Sequence, residues 1–599
     1  MSHKFQINAQ LQRNDLLTNF GKAVLKDRYL LPGEDYQDLF VRVASAFADN
    51  QQHANRLYDY ISRLWLMPAT PVLSNGGTTR GMPISCFVNE CDDSLHGIED
   101  LWSENVWLAS RGGGIGSYWG NVRSINEPVG KNGKTSGIIP FIKVQDSMTL
   151  AISQGSLRRG NTAVYLPVWH PEIEEFIDIR RPTGGDTNRK SINIHHGIVI
   201  SDAFMHAVQR NDTWDLISPR SQEVVSTIRA RDLWVKILMT RIETGEPYIL
   251  FIDAVNRAIP IHHQKLGLYV KTSNLCSEIT LPTGTDHLGN VRTAVCCLSS
   301  LNLEYFDEWE DNPSFIEDVL RFLDNVLQHF IDTAQPEMKN AVYAAMRERS
   351  IGMGTMGFHS YLQKKGMAFE SAAAKVWNKK IFAHIKAVVE SASEAITAEK
   401  GSCPDALDAG MTGRFSNKMA IAPNASTSII AGNASPGIEP FAANSYTHKT
   451  LSGSFPVRNH HLEKLLESKG FNNEQIWSSI AAHEGSVQQL NFLSDAEKLI
   501  FKTAYEIDQR WIVEFAADRT AFICQAQSVN LFLNGNTSKE YLHHLHYKAW
   551  KSGLKSLYYL RSTSIQRADK VSQSVQVNNY HTQDIKNEEN KYEECLSCQ

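Results

Sequence analysis

The sequence is poor in cysteine, with nine in 599 residues. That is too few, and too odd a number, for the disulfide scaffold of a secreted domain, so each thiol needs its own explanation. The thiols fall at positions 86, 91, 276, 296, 297, 403, 524, 595 and 598. There is no run of about eighteen apolar residues, which excludes a membrane-spanning helix. The first residues, MSHKFQINAQLQRND, also lack the apolar core and small-residue cleavage site of a secretory signal. Neither sign of charge dominates. A net charge of -5 and a pI near 6.5 give no global attraction to nucleic acid or to a membrane surface. These absences predict a cytoplasmic protein whose anionic ligands are met by local sites. With 42% hydrophobic and 21% charged residues, the chain can bury a large core, and disorder throughout is excluded.

Residues 12 to 66 read as helical, with Leu39, Phe40, Val43 and Phe47, then Leu57, Ile61 and Leu64, at helical spacing. From 67 to 98 the pattern changes to proline, glycine and small polar residues around Cys86, the composition of a lining where backbone amides and hydroxyls reach a ligand. Arg111 is followed by three glycines, which allow close backbone approach, although a tight turn explains such a run equally well. Residues 154 to 161, QGSLRRGN, form a basic loop that solvated surface would also explain. The clearest helix spans 312 to 331, with Pro313 at its start and Ser314 and Glu317 spaced as a capping box. Strand-like runs alternating with helices over 191–252 and 271–331 predict an α/β fold. Residues 423 to 440, PNASTSIIAGNASPGIEP, offer hydroxyls and amides suited to a phosphate, best placed if Ser428 opens a helix. They lack the lysine of a P-loop.

The stretch Thr272-Ser273-Asn274-Leu275-Cys276-Ser277-Glu278 sets one thiol between an amide and a carboxylate. If the backbone is extended, Asn274, Cys276 and Glu278 share a face. The amide can hold a hydroxyl, the carboxylate can take a proton, and the thiol can give or take a hydrogen atom. A buried structural cysteine is the plain alternative. The terminal Cys595-Leu596-Ser597-Cys598 follows a polar stretch from about residue 565. As a zinc half-site it lacks partners other than His581, whereas as a dithiol on a flexible tether it suits exchange with a buried disulfide.

Taken with Cys296-Cys297-Leu298-Ser299-Ser300-Leu301-Asn302-Leu303, PATPVLSNGG, PISCFVNECDDSL and AGNASPGIEP, the motif SNLCSE resembles the catalytic large subunit of ribonucleotide reductase. The similarity begins near Lys22 and runs to the last cysteine. It implies a ten-stranded α/β barrel with a central finger loop over 67–564, a helical region over 1–66 and a redox-active tail over 565–599. Cys276 would become a thiyl radical that removes the ribonucleotide 3′-hydrogen, Glu278 would take the 3′-hydroxyl proton, and Asn274 would hold the sugar hydroxyls. Cys86 and Cys296 would deliver the reducing electrons, and Cys595 and Cys598 would restore them, recharged by thioredoxin or glutaredoxin. Cys297 complicates this, because only one of two neighbours on a strand can face the cavity. Register with the following Leu-Ser favours Cys296. Cys91, Cys403 and Cys524 are assigned to packing.

The resemblance also places Thr70, Ser85, Gly114, Ser426 and Thr427 around the substrate sugar and phosphates. Asp93, Arg123, Arg158 and Arg159 would form a specificity site for deoxynucleoside triphosphate or ATP effectors at a homodimer interface. Tyr558 and Tyr559 match the relay through which a small subunit supplies the radical, so no cofactor or metal is expected on this chain and the substrates are ribonucleoside diphosphates. A cobalamin-dependent reductase and a catalytically silent nucleotide sensor are the alternatives. With the resemblance under way by residue 22, no room is left for an ATP-cone, so dATP is expected to act through the specificity site alone.

Overall fold

The computed structural model describes residues 4–131, 133–154, 158–450 and 453–563. Three helices come first, α1 (Asn19–Arg28), α2 (Tyr36–Ala46) and α3 (Gln51–Ser62). Leu39, Phe40, Val43, Leu57 and Ile61, picked out by their spacing, are all fully buried. Side-chain caps fix the helix starts: Thr18, Asp35 and Asn50 each accept a backbone N–H of the first turn.

The centre of the molecule is built from two sets of parallel strands. In the first set β1 (Cys86–Glu90), β2 (Gly114–Tyr118), β3 (Asn161–Pro167), β4 (His195–Ile200) and β5 (Tyr248–Phe251) pair in that order. In the second, β6 (Ala294–Asn302) pairs in parallel with β7 (Ile351–Met356). Strand β7 bridges to 419–421 through Met353 and Met419, and that segment bridges to 525–529 through Ile421 and Gln527, again in parallel. Tyr558 N donates to Val529 O (2.9 Å), which ties on β8 (Ser556–Leu557). The sets meet antiparallel at both seams, β1 with β6 and β5 with β8. Eight strands and the two bridging segments thus close a ten-membered barrel, as the resemblance implies.

Strand alternation gives this barrel two apolar layers. Ala163 and Tyr165, Val199, and Tyr248 and Leu250 point inward into one cluster, while Val164 and Leu166, Ile198 and Ile200, and Ile249 and Phe251 join the outer core beneath the helices. Being apolar on both faces, the strands read as continuous hydrophobic runs, as parallel strands covered by helices do.

Helix α4 (Phe315–Thr333) covers β6 and β7 with Ile316, Val319, Leu320, Leu323, Val326, Leu327 and Phe330, each at most 3% exposed. Its expected capping box does not form. Ser314 makes no side-chain cap bond, and Glu317 pairs with Arg321 one turn on. The long helix α5 (Ala372–Lys400) packs against α4. Thr70–Asn75, expected as lining loop, is a short helix entered through Pro71. Among the described residues, no helix is long and apolar enough to cross a membrane.

Residues 271–279 thread this barrel. A Cβ built on Gly116 of β2 would lie 1.9 Å from Ser273 O, so only glycine lets the loop pass. Gly116→Ala is expected to destabilise the protein by about 1–3 kcal/mol, because the atoms the new Cβ meets, Ser273 O and Asn274 Cα, are both backbone and cannot swing aside. Denaturant unfolding checks this, and an unchanged midpoint would show that the loop does not press on β2.

Candidate active site

The threading loop is a turn, where the sequence argument assumed extended backbone. Ser277 has φ 65° and its N–H reaches Asn274 O at 3.3 Å. Asn274 shapes the turn, its Oδ1 accepting from both Glu278 N and Ile279 N at 3.1 Å. The carboxamide thereby replaces a ladder of strand hydrogen bonds. The predicted side chains still meet: Asn274 Nδ2 donates to Cys86 Sγ (3.1 Å), and that sulfur lies 4.0 Å from Glu278 Oε1. Cys276 is 5% exposed at the tip.

Both halves of the barrel grip the loop. From β3, the Tyr165 hydroxyl donates to Asn274 O (2.7 Å) and lies 2.9 Å from Ser277 Oγ. From the 525–529 segment, Ser528 Oγ donates to Cys276 O (2.6 Å) and lies 3.2 Å from Glu278 Oε2, and Ala526 N donates to Glu278 O (2.8 Å). Burial pushes the Glu278 carboxyl up to about 7 against the hydrogen bonds from Asn274 and Ser528. A carboxyl at that value exchanges protons near neutral pH, as a general base must.

The β1–β6 seam sets the two adjacent thiols in different surroundings. Cys86 and Cys296 are direct register partners, and Gly114 is the partner of Cys86 on its other side. Directly opposed residues of antiparallel strands have Cα atoms about 4.5–5.5 Å apart, within the range a disulfide spans. Gln525 Nε2 donates to Cys296 Sγ (3.6 Å) from across the barrel. Cys297 faces outward and its thiol donates to Leu323 O of α4 (3.3 Å). Burial holds the Cys296 thiol well above its ordinary range, so it stays protonated.

Tyr558 and Tyr559 pack with centroids 4.4 Å apart, and Tyr248 stands 4.7 and 5.1 Å from them as a third ring. Tyr558 and Cys276 share the inner apolar cluster. The Tyr559 hydroxyl lies 3.2 Å from His195 Nδ1, which is 2.6 Å from Glu246 Oε1. Tyr165, Tyr248, His195, Gln525 and Ser528 were not found by sequence reasoning. No local motif marks them, although Tyr248 stands at an inward position of an apolar strand.

The 423–440 loop differs in register from the expectation. Its helix, α6 (Ala425–Ile430), begins after Asn424 in the left-handed region at φ 57°, so Ser426, Thr427 and Ser428 all lie in the helix and are buried. Beside it is a cleft lined in part by Ala425, Ser428, Glu439, Arg458 and Arg561. Its two arginines are also absent from the sequence reading. Ser85 is buried beside Cys86 and its carbonyl accepts from Gly114 N (2.8 Å), whereas Thr70 Oγ1 is hydrogen-bonded to Tyr29 (2.9 Å). Arg123 holds Asp93 in a half-buried ion pair (Nε–Oδ1 2.9 Å). Arg158 and Arg159 lie on a strand that pairs with Ser153–Gln154, and their side chains are outside the described residues, as are Cys595 and Cys598.

Two outcomes follow from this geometry. Under mild oxidation, mass spectrometry is expected to find Cys86 joined to Cys296 in the parent and in Cys297→Ser alike, and a Cys86–Cys297 bridge would contradict the register. The raised Glu278 carboxyl makes the folded state bind a proton that the unfolded state has released. Its stabilising contribution is therefore present below the ordinary value of 4.5 and lost as pH rises through about 7. Glu278→Gln is expected to gain stability relative to the parent between pH 5 and 8, and equal pH dependence in denaturant unfolding would refute it.

The model of the ribonucleotide reductase barrel domain matches residues 84–413 and 408–560, and that of the ribonucleotide reductase all-alpha domain matches 15–81. The ribonucleoside-diphosphate reductase large subunit of Invertebrate iridescent virus 3 is 43% identical over 93% of this chain and 96% of its own length. That of Danio rerio is 31% identical over 94% of this chain and 78% of its own. Among solved structures, the Actinobacillus ureae class Id ribonucleotide reductase alpha subunit superposes with a TM-score of 0.81 at 33% identity, covering 92% of this chain and 98% of that one. With a barrel closed around a cysteine-bearing loop and family models spanning most of its length, the chain belongs to the ribonucleotide reductase large-subunit family.

Proposed function

We propose that this chain is the catalytic subunit of a ribonucleoside-diphosphate reductase, converting ribonucleotides to 2′-deoxyribonucleotides by thiyl-radical chemistry. The observation that carries the reading is the direct pairing of Cys86 with Cys296 beneath a loop that presents Cys276, Asn274 and Glu278. The Cys276 thiyl takes the 3′-hydrogen and Glu278 accepts the 3′-hydroxyl proton. The 2′-hydroxyl departs as water with a proton from the dithiol pair. Cys86 and Cys296 together give two electrons and two protons and end as a disulfide, while Cys276 returns its hydrogen to C3′ and is regenerated as the thiyl. One C–O bond is replaced by a C–H bond for each disulfide formed.

A separate small subunit supplies the oxidising equivalent through Tyr559 and Tyr558. The contact between the two tilted rings and the inclusion of Tyr558 with Cys276 in one apolar cluster favour this over a cobalamin-dependent reaction. The small subunit and thioredoxin or glutaredoxin are the protein partners, with Cys595 and Cys598 as the shuttle. Effector nucleotides act at Asp93, Arg123, Arg158 and Arg159 in a homodimer, and the hydroxyls of Ser426 and Thr427 with Ser85, Gly114 and Thr70 line the substrate site.

Cys276→Ser is expected to cut turnover by a factor of about 10² or more while leaving nucleotide affinity within about twofold, the pattern of a group used only in the chemical step. Product assay and equilibrium binding separate the two, and substantial residual turnover would refute the assignment. With the small subunit present, Tyr558→Phe or Tyr559→Phe is expected to stop reduction and leave Cys86–Cys296 oxidation intact. Full activity on cobalamin alone would instead favour the other radical source. Replacing Cys595 and Cys598 by serine is expected to limit thioredoxin-driven reduction to about one product per chain, with a small dithiol restoring turnover.

A further inference from the structure

Glu304 follows β6 in the single 3-10 turn Leu303–Tyr305. Its backbone is fixed on both sides, with Asn302 Oδ1 accepting from its N–H (3.1 Å) and Lys364 Nζ donating to its carbonyl (2.9 Å). Across from it, consecutive histidines open helix α7 (His460–Lys469), capped by Asn459. His460 Nε2 is 2.7 Å from Glu304 Oε1, and His461 Nε2 is 3.4 Å from the same oxygen. Among the described residues, no other three His, Cys, Asp or Glu side chains bring their ligand atoms within 4.8 Å of one another.

An ion pair alone does not account for this arrangement. The His461 side chain is 8% exposed, and its Nε2 makes no hydrogen bond despite facing the carboxylate. A buried imidazole nitrogen left in that condition costs on the order of 1–3 kcal/mol. Two imidazoles and one carboxylate are the three-ligand set that zinc accepts, with metal–ligand distances near 2.0–2.2 Å that place ligand atoms about 3.3 Å apart in a tetrahedron. The His461 separation already fits. His460, 27% exposed, has room to move outward by the fraction of an ångström that remains.

We propose that Glu304, His460 and His461 form a site for a divalent cation of the zinc class, which fastens the segment 460–501 to the end of β6. The segment has its own apolar core of Leu462, Leu466, Trp477, Ile480, Val487 and Phe501. Its attachment near α7 otherwise includes polar contacts such as Asn459 Nδ2 to Gln363 Oε1 (2.9 Å). A metal bound by Glu304 and by two ligands from α7 closes a long stretch of chain between them, and cross-links that close long loops constrain most. No step of the nucleotide chemistry passes through it.

The test uses the full chain carrying Cys595→Ser and Cys598→Ser, so that the terminal dithiol adds no zinc. After incubation with zinc chloride and dialysis, elemental mass spectrometry is expected to find about one zinc per chain, with slowed amide exchange across residues 460–500. His461→Ala and Glu304→Gln are each expected to weaken zinc binding by at least about 10-fold and to abolish the zinc-dependent protection. Circular dichroism verifies folding, and His460→Asn, at the more exposed position, carries the test if either variant misfolds. Failure to retain zinc, or equal affinity in parent and variants, would overturn the proposal. Neither result bears on nucleotide reduction, which is assayed separately.

Discussion

The passage of residues 271–279 through the barrel against Gly116 is the constraint on which the site depends. A loop inside a barrel has no neighbouring strand to satisfy its backbone, so each of its polar groups needs a partner from elsewhere. Tyr165 on one half and Ser528 and Ala526 on the other supply three of them, and the Asn274 side chain supplies two more from within the loop. Because the gripping residues come from opposed halves of the barrel, closure of the barrel and placement of Cys276 are one event. A shift of either half would displace the thiol.

The same burial raises two groups of the site with opposite consequences. It raises the Glu278 carboxyl into the neutral range, where it can exchange a proton, and it raises the Cys296 thiol far out of that range. A thiol that stays protonated is a poor nucleophile and a good donor of hydrogen. That protonation state suits hydrogen and electron transfer more than attack by thiolate. Behind it, Lys555 is buried and lowered to about 8, donating to the carbonyls of Ile523, Cys524 and Gln525. That amine holds the segment bearing Gln525 and Ser528 at the correct height against the loop.

The aromatic group around Tyr558 has a different basis. Tyr248 comes from β5 and Tyr558 from the end of β8, the antiparallel seam, so their contact exists only because the two halves meet there. The thiol pair Cys86–Cys296 lies at the other antiparallel seam. The two seams therefore carry the thiol pair and the tyrosine group, with the loop between them.

Much of this was legible in the chain itself. Helical spacing located α2, α3 and α4, the switch to small residues located the lining around Cys86, and the motif SNLCSE picked out the loop that threads the barrel, because these are local patterns with local physical causes. Local reasoning failed where a local preference was overridden. Ser314 had the spacing of a cap but not its backbone angle, and the loop at Cys276 had the alternation of a strand but was bent by Asn274. The partners of Cys86, the outward turn of Cys297, the grip of Tyr165 and Ser528 and the meeting of Glu304 with His460 and His461 involve residues 26 to 252 positions apart. Sequence determined which chemistry was available. Barrel closure alone decided which groups face one another, since register across seams is set by packing of both faces and leaves no periodic trace in either strand.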